Sequence, residues 1–211
     1  MNTSICLIRH GETAWNAVRR LQGWQDIELN ETGREQARAL QSYLCSPAFQ
    51  MPVDVVISSD LQRASETAKI ACQHWDIEIQ QVQGLRERGF GTLEGQAWDA
   101  AGRHGPDQPD DTVDIDYAVE GGESLRQFQM RILSCFEELS QRNAGKNLLV
   151  FAHGGVIDMV WRKLNQQPHQ EWPGANRFVR SRPADQRSDA MVHDHGFLRT
   201  YIFSVDHKVV G

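Results

Sequence analysis

The sequence predicts an α/β protein, a three-layer α/β/α sandwich around a mostly parallel central sheet. Two observations predict it: strand-like apolar runs alternate with amphipathic helical segments, and polar segments directly follow several of the strands. Alternating strands and helices favour a parallel sheet with helices on both faces. Neither an internal repeat nor a linker divides the 211 residues, so we expect a single domain over 1–211.

The predicted strands are short apolar runs rich in β-branched residues. They lie at residues 3–8, 53–59, 77–85, 147–153 and 197–205. The run NLLVFAH at 147–153 has the strongest strand character, and FLRTYIFSV at 197–205 is expected to supply the last strand.

Helices are predicted where apolar residues recur at helical spacing. They begin near residues 13, 32, 61, 125 and 154, and the first and last are expected to end near 20 and 164. Thr32 and Glu35 have the Thr-x-x-Glu form of a capping box at the second helix, which Pro47 ends. Asp60 is a candidate cap for the third helix.

Two segments depart from this alternation. Residues 101–122 are rich in Gly, Pro and Asp, which favours a loop, and their position predicts a lid that sets substrate choice. Residues 165–211 form an atypical C-terminal segment, charged and largely aperiodic. Within it, VHDHG at 192–196 is interpreted as a polar loop and not as a metal site, because no further ligands have recognisable spacing.

Composition excludes several classes of function. The net charge of −6 leaves no global basic field for nucleic acid. No apolar run approaches the roughly 18 residues that span a bilayer, and the N-terminus lacks signal-peptide character. None of the four cysteines lies in a Cys-x-x-Cys pair, so we interpret them as reduced. We expect a cytoplasmic protein that binds neither nucleic acid nor membrane.

Charged side chains follow the predicted parallel strands, where ligands of such sheets bind. The first strand ends in Arg9 and His10, and the fourth ends in His153. Arg63 lies one turn into the helix after the second strand, and Glu87 follows the third between two arginines. We expect these side chains to gather at one edge of the sheet.

A phosphoryl group fits this set of residues. Arginines match phosphate oxygens bidentately, and they favour a neutral imidazole at His10 that can attack phosphorus. Glu87 can protonate the leaving alkoxide and then activate water, although geometry inferred from sequence does not separate it from Glu94. His153 would add a charge or hydrogen bond. Because phosphoryl transfer depends on positioning and electrostatics, no metal or cofactor is required.

Four blocks of sequence, in order, resemble the histidine phosphatase superfamily in its phosphoglycerate mutase-like branch. They are LIRHGETAWN with LQGWQDIELNETGREQA, VISSDLQRASETA, LRERGFGTLEG and VFAHGGVI, within residues 3–165. The resemblance implies a phosphoglycerate mutase-like fold and a phosphorylated nucleophile at His10. It further implies a phosphate pocket of Arg9, Arg63 and His153, a proton donor at Glu87, and site-lining positions at Asn16, Gln22, Gly23 and Gly154.

Within that family the sequence favours a hydrolase over an isomerase. In cofactor-dependent mutases a tyrosine follows the catalytic glutamate, with a lysine and an arginine pair further on. Here Phe90 replaces the tyrosine, no lysine follows before Lys146, and no Arg-Arg pair occurs after Glu87. We therefore expect a metal-independent phosphatase of a small phosphorylated metabolite. The alternatives are a phosphoglycerate mutase and a catalytically silent anion-binding module, and homodimerisation is left open.

Overall fold

The computed structural model describes residues 2–98, 114–164, 192–195 and 198–206. Its strands are β1 (Asn2–Arg9), β2 (Val55–Ser58), β3 (Ile79–Gln81), β4 (Asn147–Ala152), β5 (Val192–His195) and β6 (Leu198–Asp206). Its α-helices are α1 (Ala14–Ala17), α2 (Glu31–Leu44), α3 (Gln62–Ala71), α4 (Leu125–Arg142) and α5 (Gly154–Leu164). Short 3₁₀ helices cover Gln83–Leu85 and Gly91–Leu93.

The strands form one sheet in the order β3-β2-β4-β1-β6-β5. The four strands from β3 to β1 are mutually parallel, whereas β6 and β5 run antiparallel to their neighbours. The mostly parallel α/β fold predicted from the alternation of elements is thereby confirmed.

Helices cover both faces of the sheet because successive strand residues point to opposite sides. In β1, Ile5 and Leu7 pack with residues of α4 and α5, whereas Cys6 and Ile8 pack with residues of α2 and α3. Strand β4 divides its apolar side chains between the same two clusters. This double burial explains why both strands read as nearly continuous apolar runs.

The first two helices differ from the sequence prediction at their ends. Helix α1 covers only four residues, and Arg19, with a φ of 53°, lies in the left-handed region two residues after it ends. The capping box predicted at Thr32 is wrong. Helix α2 begins at Glu31, and the side chain of Asn30 accepts the hydrogen bond from Gly33 N, so Thr32 already lies inside the helix.

The prediction that Asp60 caps the third helix is wrong. Its N-cap is Leu61, and the N–H of Gln62 instead donates to Asp26 Oδ1 at 2.7 Å. Asp60 is occupied elsewhere, since its two oxygens accept hydrogen bonds from Arg86 at 2.8 and 2.6 Å. The strand predicted over 77–85 is shorter, because the chain turns into a 3₁₀ helix at Gln83–Leu85.

In the C-terminal part, the predicted last strand is present as β6. The interpretation of VHDHG as a polar loop is wrong for residues 192–195, which pair antiparallel with β6 as the edge strand β5. Residues 101–113 of the predicted lid and 165–191 of the C-terminal segment lie outside the described residues. Among the described helices, none has the length and apolar character to span a membrane.

Candidate active site

The carboxyl ends of β1 and β4 lie side by side, because the two strands are neighbours in the sheet. Helix α2, which follows β1 and α1, packs on one face of the sheet, and helix α5, which follows β4, packs on the other. Such a switch point is where open parallel sheets bind ligands. His10 and His153 follow these two strands, so the register of the sheet itself brings them together.

The two histidines are buried and face each other. His10 N donates to Ala152 O at 3.0 Å, which continues the β1–β4 pairing up to the two histidines. The ring centroids lie 5.2 Å apart, with ring planes at 60°. The sequence-based expectation that these side chains converge is therefore met.

The orientation of the His10 ring determines which nitrogen is available for reaction. Nδ1 lies 2.6 Å from the carbonyl oxygen of Gly11, and a carbonyl can only accept, so Nδ1 carries the hydrogen. The lone pair is then on Nε2. Gly11 is held in turn, because its N–H donates to the Thr67 hydroxyl at 3.0 Å and a Cβ on it would lie 2.5 Å from Gly33 O.

His153 is oriented by a hydroxyl that follows β2. Its Nε2 lies 2.9 Å from Ser59 Oγ, and its Nδ1 is buried with no hydrogen-bond partner among the described residues. An unpartnered polar atom in a buried position is costly unless a ligand satisfies it. The ring is therefore arranged to meet a polar ligand through Nδ1.

Arg63 is a fully buried arginine beside the histidines. Two of its nitrogens donate to the carbonyls of Gln25 and Gly23 at 2.9 and 2.8 Å, while its Nε has no partner among the described residues. Burial lowers the pKa of Arg63 to about 10, so it remains a cation at neutral pH. Arg9 lies against the start of α5, since a Cβ on Gly154 would be 3.6 Å from its Cζ.

Burial and the neighbouring arginines keep both imidazoles neutral. The pKa of His10 is lowered well below its ordinary value, first by burial and then by Arg63 and Arg9. The pKa of His153 is lowered in the same way, by burial first, then by Arg63, His10, Arg9 and Arg131. A neutral ring keeps the lone pair that a nucleophile needs.

Glu87 reaches the same place from the third strand. Its Oε2 accepts from Gly155 N at the start of α5 at 3.0 Å, and its Oε1 accepts from Arg88 N at 2.9 Å. A Cβ on Gly155 would lie 2.2 Å from Glu87 Oε1, so a glycine is needed for this approach. The Glu87 carboxylate therefore contacts Gly155, which follows His153 by two residues in the chain.

Glu94, the alternative acid, has a different environment. Its Oε1 accepts from the N–H groups of Trp24 and Phe90 at 2.8 and 3.0 Å, and its Oε2 from Gln25 Nε2 at 3.1 Å. These contacts join two loops. The structure places Glu87, rather than Glu94, against Gly155 beside His153, a distinction that spacing in the sequence did not make.

Two of the remaining predicted site residues, Asn16 and Gln22, contact one hydroxyl that the sequence analysis missed. Thr13 Oγ1 lies 3.1 Å from Asn16 Oδ1 and 3.0 Å from Gln22 Oε1, and it can donate its single hydrogen to either oxygen. Gly23 has a φ of +52°, and a Cβ there would lie 2.0 Å from Glu94 Oε1. It remains a prediction that Asn16, Gln22, Gly23 and Gly154 line a phosphate-binding site.

Sequence reasoning also missed Ser59 and Thr67, which orient the two histidines. Ser59 directly follows a strand, and Thr67 lies one helical turn after Arg63. These positions were the only features of the sequence that could have indicated a role at the site. Within the described ranges, no three His, Cys, Asp or Glu side chains are grouped so that they could hold a metal ion.

A sequence profile of the histidine phosphatase superfamily, branch 1, matches residues 5–177. The chain belongs to this superfamily. It is 36% identical over 168 residues to a metal-independent phosphoserine phosphatase of Arabidopsis thaliana, covering 78% of this chain and 69% of the relative. It is 35% identical over 179 residues to the broad-specificity phosphatase YOR283W of Saccharomyces cerevisiae, covering 78% and 71%.

Solved structures of the superfamily share the fold. Bacillus stearothermophilus YhfR superposes with a TM-score of 0.70 at 32% identity, covering 82% of this chain and 88% of that protein. A phosphoserine phosphatase mutant from Entamoeba histolytica, in complex with phosphoserine, superposes with a TM-score of 0.68 at 26% identity, covering 81% and 83%. The histidine phosphatase fold is thus shared over most of the chain.

Proposed function

We propose that this histidine phosphatase hydrolyses a small phosphomonoester, without a metal ion, through a phosphohistidine at His10. The observation that carries the proposal is the neutral His10 ring, whose Nδ1 donates to Gly11 O and leaves Nε2 as the nucleophile. His153 and Arg63 supply buried donors that have no other partner among the described residues. A phosphoryl group would satisfy both donors.

In the first half-reaction, His10 Nε2 attacks phosphorus and the ester P–O bond breaks. Arg9, Arg63 and His153 bind the equatorial oxygens, where charge is spread in the transition state. The leaving alkoxide takes a proton from the carboxylic acid of Glu87. The products of this step are the free alcohol, the phosphohistidine and the Glu87 carboxylate.

In the second half-reaction, water replaces the alcohol. The Glu87 carboxylate takes a proton from the water as its oxygen attacks phosphorus, and the P–N bond breaks. The electron pair returns to Nε2 of His10, and phosphate leaves. The enzyme is restored with Glu87 protonated, and both steps balance without a metal ion.

Hydrolysis is favoured over a mutase reaction. Phe90 lies where the family's mutases carry a tyrosine, and its ring contacts Arg88, whose Cζ lies 5.6 Å from the ring centroid. Phosphatases are among the relatives, although a 2,3-bisphosphoglycerate-dependent phosphoglycerate mutase 2 of Gloeobacter violaceus is 33% identical. The partner we propose is a small phosphorylated metabolite, and the compartment we propose is the cytoplasm.

The test is phosphate release from p-nitrophenyl phosphate and a panel of phosphorylated metabolites, phosphoserine included. We expect hydrolysis that survives EDTA and is lost in His10→Ala, with an acid-labile phosphoenzyme trapped only in the wild type. Binding of the panel without turnover would instead identify an anion-binding module. Rapid interconversion of 3- and 2-phosphoglycerate, stimulated by 2,3-bisphosphoglycerate, would identify a mutase.

A further inference from the structure

Arg131, on helix α4, lies beneath the segment that carries Glu87. Resting on the proposed function, we infer that Arg131, paired with Glu123, is a positioning residue for the general acid. Nothing in its sequence context marks it except that a cation occupies the apolar stripe of α4, three residues after Phe128 and four before Cys135.

The guanidinium of Arg131 holds the backbone of the acid-bearing segment. One terminal nitrogen donates to Gly84 O at 2.9 Å and to Arg86 O at 3.0 Å. The other donates to the carbonyl oxygen of Glu87 itself at 3.1 Å. Three carbonyls within four consecutive residues are thus fixed by one side chain.

Glu123 fixes Arg131 and the far end of the same segment. Its two oxygens accept from Arg131 Nε and from the second terminal nitrogen, both at 2.7 Å. One of these oxygens also accepts from Gly89 N at 3.0 Å, while Glu123 N donates to Gly89 O at 2.8 Å. The pair therefore contacts the backbone on both sides of Glu87.

These contacts use every N–H of the guanidinium, five in all. The group also contacts two aromatic rings, with its Cζ 5.8 Å from the centroid of the Trp24 ring and 5.2 Å from that of the Phe128 ring. Trp24 Nε1 donates to the same Glu87 carbonyl at 2.8 Å. The backbone of the acid is consequently held from two directions.

Fixing this backbone matters because proton donation depends on geometry. The Glu87 carboxylate is held at its tip by Gly155 N, but its Cα belongs to a segment outside any helix or strand. A small displacement of the acid raises the barrier to proton transfer, while the phosphate site of His10 and Arg63 stays intact. Arg131 thus acts through Glu87 and not on the substrate.

Lysine cannot replace arginine in this role. Its ammonium is a single point with three donors, whereas the fork of Arg131 spans three carbonyls and a carboxylate. Arg131→Lys keeps the charge and the apolar stem, so it separates positioning from charge. Arg142→Lys, an exposed arginine at the end of the same helix, is the matched control.

The experiment compares kcat/KM for two substrates with different leaving groups. An alkyl phosphate such as β-glycerophosphate needs the acid to protonate its alkoxide, whereas p-nitrophenolate departs with much less help. We expect Arg131→Lys to lower kcat/KM about tenfold or more for the alkyl phosphate and clearly less for p-nitrophenyl phosphate. Glu87→Gln should show the same difference between the two substrates with a larger loss of kcat/KM, and Arg142→Lys should match the wild type.

An equal loss on both substrates, or no loss, would overturn the inference and leave the phosphatase function standing. Glu123→Gln provides a second variant with the same expected pattern if Arg131→Lys does not fold, as judged by thermal unfolding. Loss of the fold in both variants would assign the pair to stability alone and also overturn the inference. A wild-type protein inactive on both substrates would overturn the proposed function itself.

Discussion

Ser59 Oγ lies 2.9 Å from His153 Nε2, and it accepts a hydrogen bond from Leu61 N at 3.4 Å. With that N–H as its donor, the hydroxyl is free to give its own hydrogen to Nε2. The ring then carries a hydrogen on Nδ1, the atom with no partner among the described residues. We assign this tautomer to His153, because it lets the ring donate from Nδ1 to an anionic ligand.

This contact predicts the effect of removing the hydroxyl. Ser59→Ala leaves the His153 tautomer unset, and we expect kcat/KM for phosphomonoester hydrolysis to fall about tenfold, the size expected for one weakened charge-assisted hydrogen bond. Ser59→Thr retains a hydroxyl and should retain more activity. Equal activity of the alanine variant and the wild type would contradict the assigned tautomer.

Substitution of the two candidate acids should affect different properties, activity for Glu87 and stability for Glu94. Glu87→Gln removes the proton donor, so we expect kcat/KM for an alkyl phosphate to fall about a hundredfold. Glu94→Gln weakens the contacts to Trp24 and Phe90, so it should lower the free energy of unfolding by about 1–2 kcal/mol. A larger loss of activity in Glu94→Gln than in Glu87→Gln would reverse the assignment.

The close approach of the His10 turn to α2 predicts a steric effect. A Cβ on Gly33 would lie 2.1 Å from Glu12 O, a backbone atom that cannot move aside alone. We expect Gly33→Ala to lower the free energy of unfolding by roughly 1–3 kcal/mol, measured by urea denaturation. The control is Gly154→Ala, whose Cβ would meet Arg9 at an ordinary 3.6 Å. Equal stability of the two variants would contradict this packing.

The buried neutral histidines predict how stability depends on pH. The pKa values of His10 and His153 are lowered well below 6.5 in the folded protein. As pH falls through 6.5, these two histidines bind protons in the unfolded chain but stay neutral in the folded protein. Stability is therefore full above that pH and is lost below it, by roughly 1 kcal/mol per histidine within the first pH unit.

Denaturation between about pH 7.5 and 5.5, above the range where most carboxylates titrate, measures this loss. Phosphate must be left out of the buffer, since an anion bound to the folded state would stabilise it. His153→Gln should show a shallower decline than the wild type. Identical declines would mean that His153 does not stay neutral in the folded protein.

Local sequence predicted elements better than it predicted their ends. The apolar, β-branched runs identified β1, β2 and β4, because burial on both faces demands such residues. The polar residues of β5 gave no such signal, and that strand was missed. The helix caps were wrong where several polar residues compete near one helix start. Asn30, and not Thr32, caps α2. Asp60 accepts hydrogen bonds from Arg86, which lies 26 positions away and is therefore outside any local sequence pattern.

The sequence by itself determined the α/β alternation and the residue types that follow each strand: imidazoles, guanidinium groups and a carboxylate. Period and composition are local properties, so they can be read from a string of residues. Only the tertiary structure decided which nitrogen of His10 is available, that Glu87 lies beside the start of α5, and that Arg131 donates to the backbone of the Glu87 segment. These outcomes depend on hydrogen bonds between residues far apart in the chain, and distance along a sequence carries no information about direction in space.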